Sequence, residues 1–265
     1  MPNDRIRFDH LSIGVRRWAD GYERYARDLG GRWAHGGDGG EFAACQLAYR
    51  HDMRLELIAP SSPDGFMQRF IDHRGPGPHH LTFKVPSLER TLHDITGLGI
   101  RTLGGRISSP DWQEAFLHPK QAGVGTLIQL AQADDERLAA RIGRPAPPDD
   151  FPELSGEPRT ISWVALTVER IPAAEQLFVE LLTGAVVERG ERWTLITWDV
   201  GHNLLLREAG SDLPASLPWP SGDALGVGHV LFGRADLRVK DLDAVTVSAL
   251  PPDKRSATLI LLTDE

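Results

Sequence analysis

Apolar and polar residues alternate strictly in four short stretches, Asp9–Val15, His79–Val85, Ser162–Val168 and Gly228–Phe232. Strict alternation marks a half-buried strand. His10, His80, Trp163 and His229 hold matching places in the four, at intervals of 70, 83 and 66 residues, so the repeating unit is about half a domain long. After the first three stretches the apolar period lengthens to that of a helix, over Trp18–Leu29, Leu88–Leu98 and Ile171–Leu182. The first two helices run into Gly30-Gly31 and Gly97/Gly99, residues that commonly end helices.

Alternating runs return at Glu41–Tyr49 and Arg54–Ala59 in the first unit and at Trp112–His118 and Thr126–Ala131 in the second. Each unit therefore reads as β-α-β-β-β. In the fourth copy the helix is eroded, because Ala235–Leu242 is too short and too charged to match the others. Ala133–Arg159 lacks periodicity and carries Pro145, Pro147, Pro148, Pro152 and Pro158, as a linker does. The expected organisation is α+β: one domain at 1–132, a linker at 133–157, and a second, degenerate domain of the same kind at 158–265.

Composition narrows the function classes. The 265 residues are 41% apolar and 25% charged with a formal net charge of −8, which argues against nucleic acid or an anionic membrane surface as partner. Cys45 is the single cysteine, so an intramolecular disulfide is impossible. Met1–Arg7 has no apolar stretch, and no segment approaches the roughly 20 apolar residues of a membrane span. A cytoplasmic, soluble protein acting on a small molecule, as a monomer or homodimer, is expected.

Strand parity points to a site. Leu11, Ile13 and Val15 form the apolar face of the first strand and leave His10 and Ser12 on the other. Leu81, Phe83 and Val85 likewise leave His80 and Thr82. In the closing strands Leu55-Glu56-Leu57 places a carboxylate between apolar neighbours, and Ile128-Gln129-Leu130 does the same with an amide. A buried carboxylate is costly unless it is paired or coordinates a metal. Two imidazoles, a carboxylate and an amide oxygen suit one divalent ion: Co, Zn, Ni, Mn or Fe.

These residues sit in longer blocks: Asp9-His10, then Leu55-Glu56-Leu57-Ile58-Ala59-Pro60 with Ser62-Pro63-Asp64, Phe70, Arg74-Gly75 before His79-His80, Phe116-Leu117-His118-Pro119-Lys120, and Gly125-Thr126-Leu127-Ile128-Gln129-Leu130. Over residues 8–132 the chain thereby resembles the vicinal oxygen chelate superfamily, most closely its methylmalonyl-CoA epimerase and glyoxalase I branches. The resemblance implies paired βαβββ modules around a metal held by His10, Glu56, His80 and Gln129. The epimerase pattern carries the amide on the first module's last strand and the carboxylate on the second's; here Glu56 and Gln129 are exchanged. The epimerase's second glutamate would fall near Ala43–Cys45, where there is no carboxylate. The exchange shifts its counterpart to the second module, where Glu114 stands, with Glu41 as a rival. Trp112 and His118 are expected to flank the cavity mouth, and Lys84, Arg101 and Lys120 to form a cationic patch.

The resemblance implies a metal-dependent lyase or isomerase in which Glu56 or Glu114 moves a proton at a metal-stabilised enolate. One alternative is a non-haem Fe(II) dioxygenase built on His10, His80 and Glu56, and another is a ligand-sequestering resistance protein. In the second domain Trp163, Leu205 and Leu261 replace His10, Glu56 and Gln129 and only His229 remains, so that half is expected to be structural, its cavity filled by Trp163, Trp198 and leucines.

Overall fold

A computed structural model describes residues 4–106, 111–143, 145–211, 224–255 and 258–263. Residues 1–3, the start of the stretch inspected for a leader, and 212–223, inside the second expected domain, lie outside the described residues. The first eight strands are β1 (Arg7–Gly14), β2 (Arg32–Asp38), β3 (Phe42–Ala48), β4 (Arg54–Pro60), β5 (Gly77–Lys84), β6 (Thr102–Arg106), β7 (Trp112–Leu117) and β8 (Leu127–Ala133). They form one sheet in the order β2-β3-β4-β1-β5-β8-β7-β6. This order is symmetric about the β1/β5 pair: each module pairs its first strand parallel to its last (β1 with β4, β5 with β8), and the two first strands run antiparallel.

The second sheet repeats the plan with one strand fewer. β9 (Ile161–Val168), β10 (Ala185–Arg189), β11 (Trp193–Thr197), β12 (Asn203–Glu208), β13 (Gly226–Phe232), β14 (Val247–Ala249) and β15 (Ile260–Thr263) are ordered β10-β11-β12-β9-β13-β15-β14. The two sheets are tandem βαβββ modules, the α+β architecture that the repeats imply. In the fourth module the position of β2, β6 and β10 is vacant among the described residues, and a 3-10 turn at Val239–Ala244 follows β13 where the other modules have a helix.

Helices fill the space between the sheets. α1 starts as an α-turn at Ala19–Gly21 and continues as a π-helix over Tyr22–Asp28. α3 (Leu88–Gly97) is capped by Ser87, whose hydroxyl accepts from the Arg90 amide, and it buries Leu88, Thr91 and Ile95 at helical spacing. α5 (Ile171–Glu175) passes into π-turns at Gln176–Leu181 that bury Leu177 and Phe178. These residues join Leu11, Ile13, Leu81 and Phe83 of the first sheet and Val164, Leu166, Val230 and Phe232 of the second in one continuous apolar core. Phe83 meets Phe178 at 5.7 Å between centroids, and Tyr49 meets Phe232 at 5.3 Å. The turn after β7 is also held to the second sheet. Gly125 has φ +68°, and a Cβ there would lie 2.2 Å from the Leu225 carbonyl carbon, so only glycine fits.

Three readings of the sequence are corrected. The proline-rich stretch begins with a helix, α4 (Asp135–Ile142), whose Asp134 cap accepts from the Arg137 amide at 3.0 Å. Prolines downstream mask this short element, whose cap and acidic first turn are the signals that would have revealed it. A further helix, α2 (Phe66–Arg74), precedes β5 where the sequence pattern predicts no element. Trp198 does not fill a cavity on the outer face of the second sheet. It lies in the inter-sheet core, 4.9 Å from Phe83 and 5.9 Å from Phe8, with its indole N–H on the Leu182 carbonyl.

Because both sheets share this core, their stability is coupled. Phe178→Ala, which removes a fully buried ring, is expected to cost about 3–5 kcal/mol and to shift unfolding of the whole chain as a single transition. Urea denaturation followed separately by Trp fluorescence and far-UV circular dichroism checks this; two separated transitions in the wild type would contradict a shared core.

Candidate metal centre

The register of the first sheet brings six polar side chains to the face opposite α1 and α3. β1 pairs Ser12 with Glu56 of β4 on one side and with His80 of β5 on the other. β5 pairs Thr82 with His10 on one side and with Gln129 of β8 on the other. Two rows result, Glu56-Ser12-His80 and His10-Thr82-Gln129, related by the pseudo-two-fold between β1 and β5. All six side chains are buried, His10 at 1% exposure and Glu56 at 8%.

Each hydroxyl links its two neighbours. Ser12 Oγ donates to Glu56 Oε2 at 2.5 Å and lies 2.9 Å from His80 Nε2. Thr82 Oγ1 donates to Gln129 Oε1 at 2.6 Å and lies 2.9 Å from His10 Nε2. Glu56 Oε2 is 3.6 Å from His10 Nε2 and 3.8 Å from His80 Nε2. One ligand atom from each of His10, Glu56 and His80 falls within 4.8 Å of the others. Two imidazole nitrogens and a carboxylate oxygen at that separation, with an amide oxygen beside them, fit a divalent cation.

The electrostatics follow from enclosure. Burial opposes charge on His10, but the Glu56 and Asp9 carboxylates overcome it and raise the imidazole to about 9. Burial would likewise raise Glu56; the His10 charge, then His80 and the Ser12 hydroxyl, hold the carboxyl well below its ordinary range instead. His80 and His79 are pushed down by burial, His79 to about 4. Asp9 is held low against its own burial by Lys84, His10 and Arg7.

Around this centre the two modules differ. Gln46 of β3 pairs with Glu56 and donates to its Oε1 at 3.2 Å; the corresponding residue of β7 is Phe116, opposite Gln129 and 5.8 Å from the His80 ring. Glu114 lies two residues earlier on β7 and accepts from Gln129 Nε2 at 2.6 Å and from Trp112 Nε1 at 2.8 Å. A carboxylate can only accept, so it takes the amide N–H of Gln129 and leaves the amide oxygen to Thr82. Glu41 is exposed ahead of β3. His118 is half-buried and accepts from the Lys120 amide in the turn after β7.

Lys84 does not contribute to an open cationic patch with Arg101 and Lys120. It is buried and ion-paired to Asp135 at 2.5 Å and to Asp9 at 3.3 Å, because the α4 helix, absent from the sequence reading, delivers Asp135 to it. Reading the sequence also passed over Gln46. Its signal is its place ten residues before Glu56 across a tight hairpin.

The second sheet provides an internal control. Its register puts Trp163 where His10 stands, Ala165 at Ser12, Leu205 at Glu56, His229 at His80, Leu231 at Thr82 and Leu261 at Gln129. Trp163 donates to His229 Nε2 at 3.2 Å, and Leu237, Val239 and Leu242 cover this face in a closed apolar cluster. No metal-binding group forms there among the described residues.

Comparison with known proteins matches residues 9–116 to the sequence profile of the glyoxalase/bleomycin resistance protein/dioxygenase superfamily. The uncharacterized protein YqjC of Bacillus subtilis (strain 168) is 25% identical over 130 residues, 48% of this chain and 91% of that protein. Methylmalonyl-CoA epimerase from Mycobacterium tuberculosis is 26% identical with a TM-score of 0.46, covering 52% of this chain and 96% of its own. A Streptomyces coelicolor methylmalonyl-CoA epimerase variant in complex with 2-nitronate-propionyl-CoA is 25% identical with a TM-score of 0.43, covering 48% and 96%. Among the described residues no helix is long and apolar enough to cross a membrane.

The His10–Glu56 pair sets an alkaline limit on the metal-free protein. A histidine raised from 6.5 to about 9 in the fold contributes stability that is present below pH 6.5 and lost as pH rises through 9, about 3 kcal/mol in all. The lowered His79 and His80 act oppositely and cost stability as pH falls below 6.5. In chelator, unfolding free energy is therefore expected to fall between pH 6.5 and 9, and His10→Gln should flatten that limb. An equal alkaline slope in wild type and variant would refute the pairing.

Proposed function

From the match of residues 9–116 to the glyoxalase/bleomycin resistance protein/dioxygenase superfamily we propose that the chain is a metal-dependent isomerase or lyase acting on a small carbonyl compound with adjacent oxygen atoms. The observation that carries this reading is the enclosed trio of His10, Glu56 and His80, with the Gln129 amide oxygen on the adjoining Thr82 hydroxyl. A divalent cation held by these four would serve as a Lewis acid for substrate oxygens and favour an enolate.

The chain's own residues divide the remaining work. Glu56, kept low by the two imidazoles and the Ser12 hydroxyl, is a ligand and a poor base. Glu114 is the proton carrier. Its Oε2 is fixed by Trp112 and Gln129, on the module opposite Glu56, so removal and return of a proton beside the substrate carbonyl are assigned to it. Phe116 packs edge-on against the His80 ring. The second sheet, whose matching face is filled with apolar side chains, is assigned a supporting role.

A second reading rests on the same trio, since two histidines and one carboxylate are the set that holds Fe(II) in oxygenases. Elemental analysis of protein purified without chelator or affinity metal separates the readings. Near-stoichiometric Co, Ni, Mn or Zn, lost in His80→Ala, supports the isomerase or lyase; iron with oxygen uptake supports the oxygenase. In Glu114→Gln the metal should stay while exchange of the substrate's α-proton in D2O slows by about 100- to 10,000-fold. Wild-type protein that takes up none of these ions would leave a ligand-sequestering role and end both enzymatic readings.

A further inference from the structure

All four modules place a β-bulge at the same point of the first strand, and in the first sheet both bulge residues reach back to a metal-site histidine. The β1/β5 register slips between Phe8 and His10, leaving Asp9 unpaired in the ladder, and again between Ser12 and Ile13, where His79 is the extra residue on β5. In the second sheet the same slips leave Ser162 and Gly228. A bulge re-aims a side chain. Here Asp9 Oδ2 lies 2.8 Å from His10 Nδ1, and His79 Nδ1 lies 2.8 Å from His80 Nδ1. Where the site has been lost, serine and glycine fill these positions.

The two supports differ in chemistry. A carboxylate can only accept, so His10 keeps a proton on Nδ1 whether or not Nε2 also carries one toward Thr82. An imidazole can donate or accept, and hydrogen counting fixes which it does. The single hydroxyl proton of Ser12 goes to Glu56 at 2.5 Å, so the 2.9 Å contact between Ser12 and His80 Nε2 needs a proton on that nitrogen. A neutral imidazole carries one ring proton, and with that proton on Nε2 the Nδ1 of His80 is bare and accepts from His79 Nδ1–H across 2.8 Å. In this arrangement His80 Nε2 cannot be a ligand.

Resting on the metal-site reading above, we propose that His79 is the positioning residue that sets the tautomer of His80. It changes from donor to acceptor at Nδ1 so that His80 moves its proton to Nδ1 and bares Nε2 when a divalent cation enters. The pair carries two ring protons in each state: on His80 Nε2 and His79 Nδ1 before, on His80 Nδ1 and His79 Nε2 after. The His79 ring is held for this by edge contacts with Phe70 at 4.7 Å and Phe66 at 6.0 Å.

Long-range 1H–15N correlation spectra of the full chain, labelled at histidine, read both tautomers directly. Without metal, His80 is expected protonated at Nε2, and with Zn(II) at Nδ1. His79→Asp supplies an acceptor alone, as Asp9 does; it should place the His80 proton on Nδ1 before any Zn(II) is added and keep Zn(II) affinity. His79→Phe retains the ring packing without a partner nitrogen and should lower Zn(II) affinity about 10- to 100-fold. A metal-free wild type with His80 protonated at Nδ1, or unchanged Zn(II) affinity in His79→Phe, overturns the proposal. If the wild type bound no Zn(II), the metal reading would fail alone: the metal-free tautomers of wild type and His79→Asp would still decide the role of His79.

Discussion

Burial of the Glu56 carboxylate on a sheet face is the constraint that organises the first half of the molecule. An isolated buried charge of this kind would be prohibitive. It is met by the Ser12 hydroxyl, the Gln46 amide and two imidazoles within 4 Å. The imidazoles are themselves buried and need partners in turn, which brings Thr82, Asp9, His79 and, beyond Asp9, Lys84 and Asp135 into one network. A network this polar does little for net stability. The fold can carry it because the opposite face of the same strands supplies the apolar core shared with the second sheet.

The pseudo-two-fold gives two sets of equivalent positions, and chemistry appears where they are filled unequally. Glu56 corresponds to Gln129, Asp9 to His79, Gln46 to Phe116, and Glu114 to Ala44. The first module supplies the buried charge at the centre, Glu56; the second supplies the carboxylate that holds the Gln129 amide. A symmetric site could bind an ion, but it could not distinguish one face of a substrate from the other.

Much of this was legible in the sequence because period-2 alternation and repeat spacing are direct consequences of strand geometry. The four polar residues at the centre could be read from parity alone, since Leu11/Ile13 and Leu81/Phe83 declare which face is core. Edge strands β2 and β6 were not individually legible: Gly36-Gly37 and Gly104-Gly105 interrupt their alternation, and edge pairing makes small demands on side chains. α2 and α4 are short; α4 is set by its Asp134 cap and α2 by burial of Met67 and Ile71 rather than by a long amphipathic pattern. The bulges leave no periodic mark at all. Asp9 and His79 look like flanking residues until the ladder shows that each is an insertion which turns its side chain toward a neighbouring ring.

The second sheet shows what this face becomes once the constraint is lifted. With Trp163, Leu205, Leu231 and Leu261 at the central positions, the face is apolar and must be covered, and Leu237, Val239 and Leu242 cover it. These residues belong to the segment that follows β13, where the other modules send a helix to the inter-sheet face. Its diversion to the outer face leaves the inter-sheet side of the fourth module to be met by the first half, as Tyr49 on Phe232 and Arg24 on the Pro251 carbonyl illustrate. The apolar outer face, the absence of a helix after β13 among the described residues and the docking of the two sheets are thus geometrically linked. The half whose outer face is closed by its own chain shares its other face with the half that carries the polar centre.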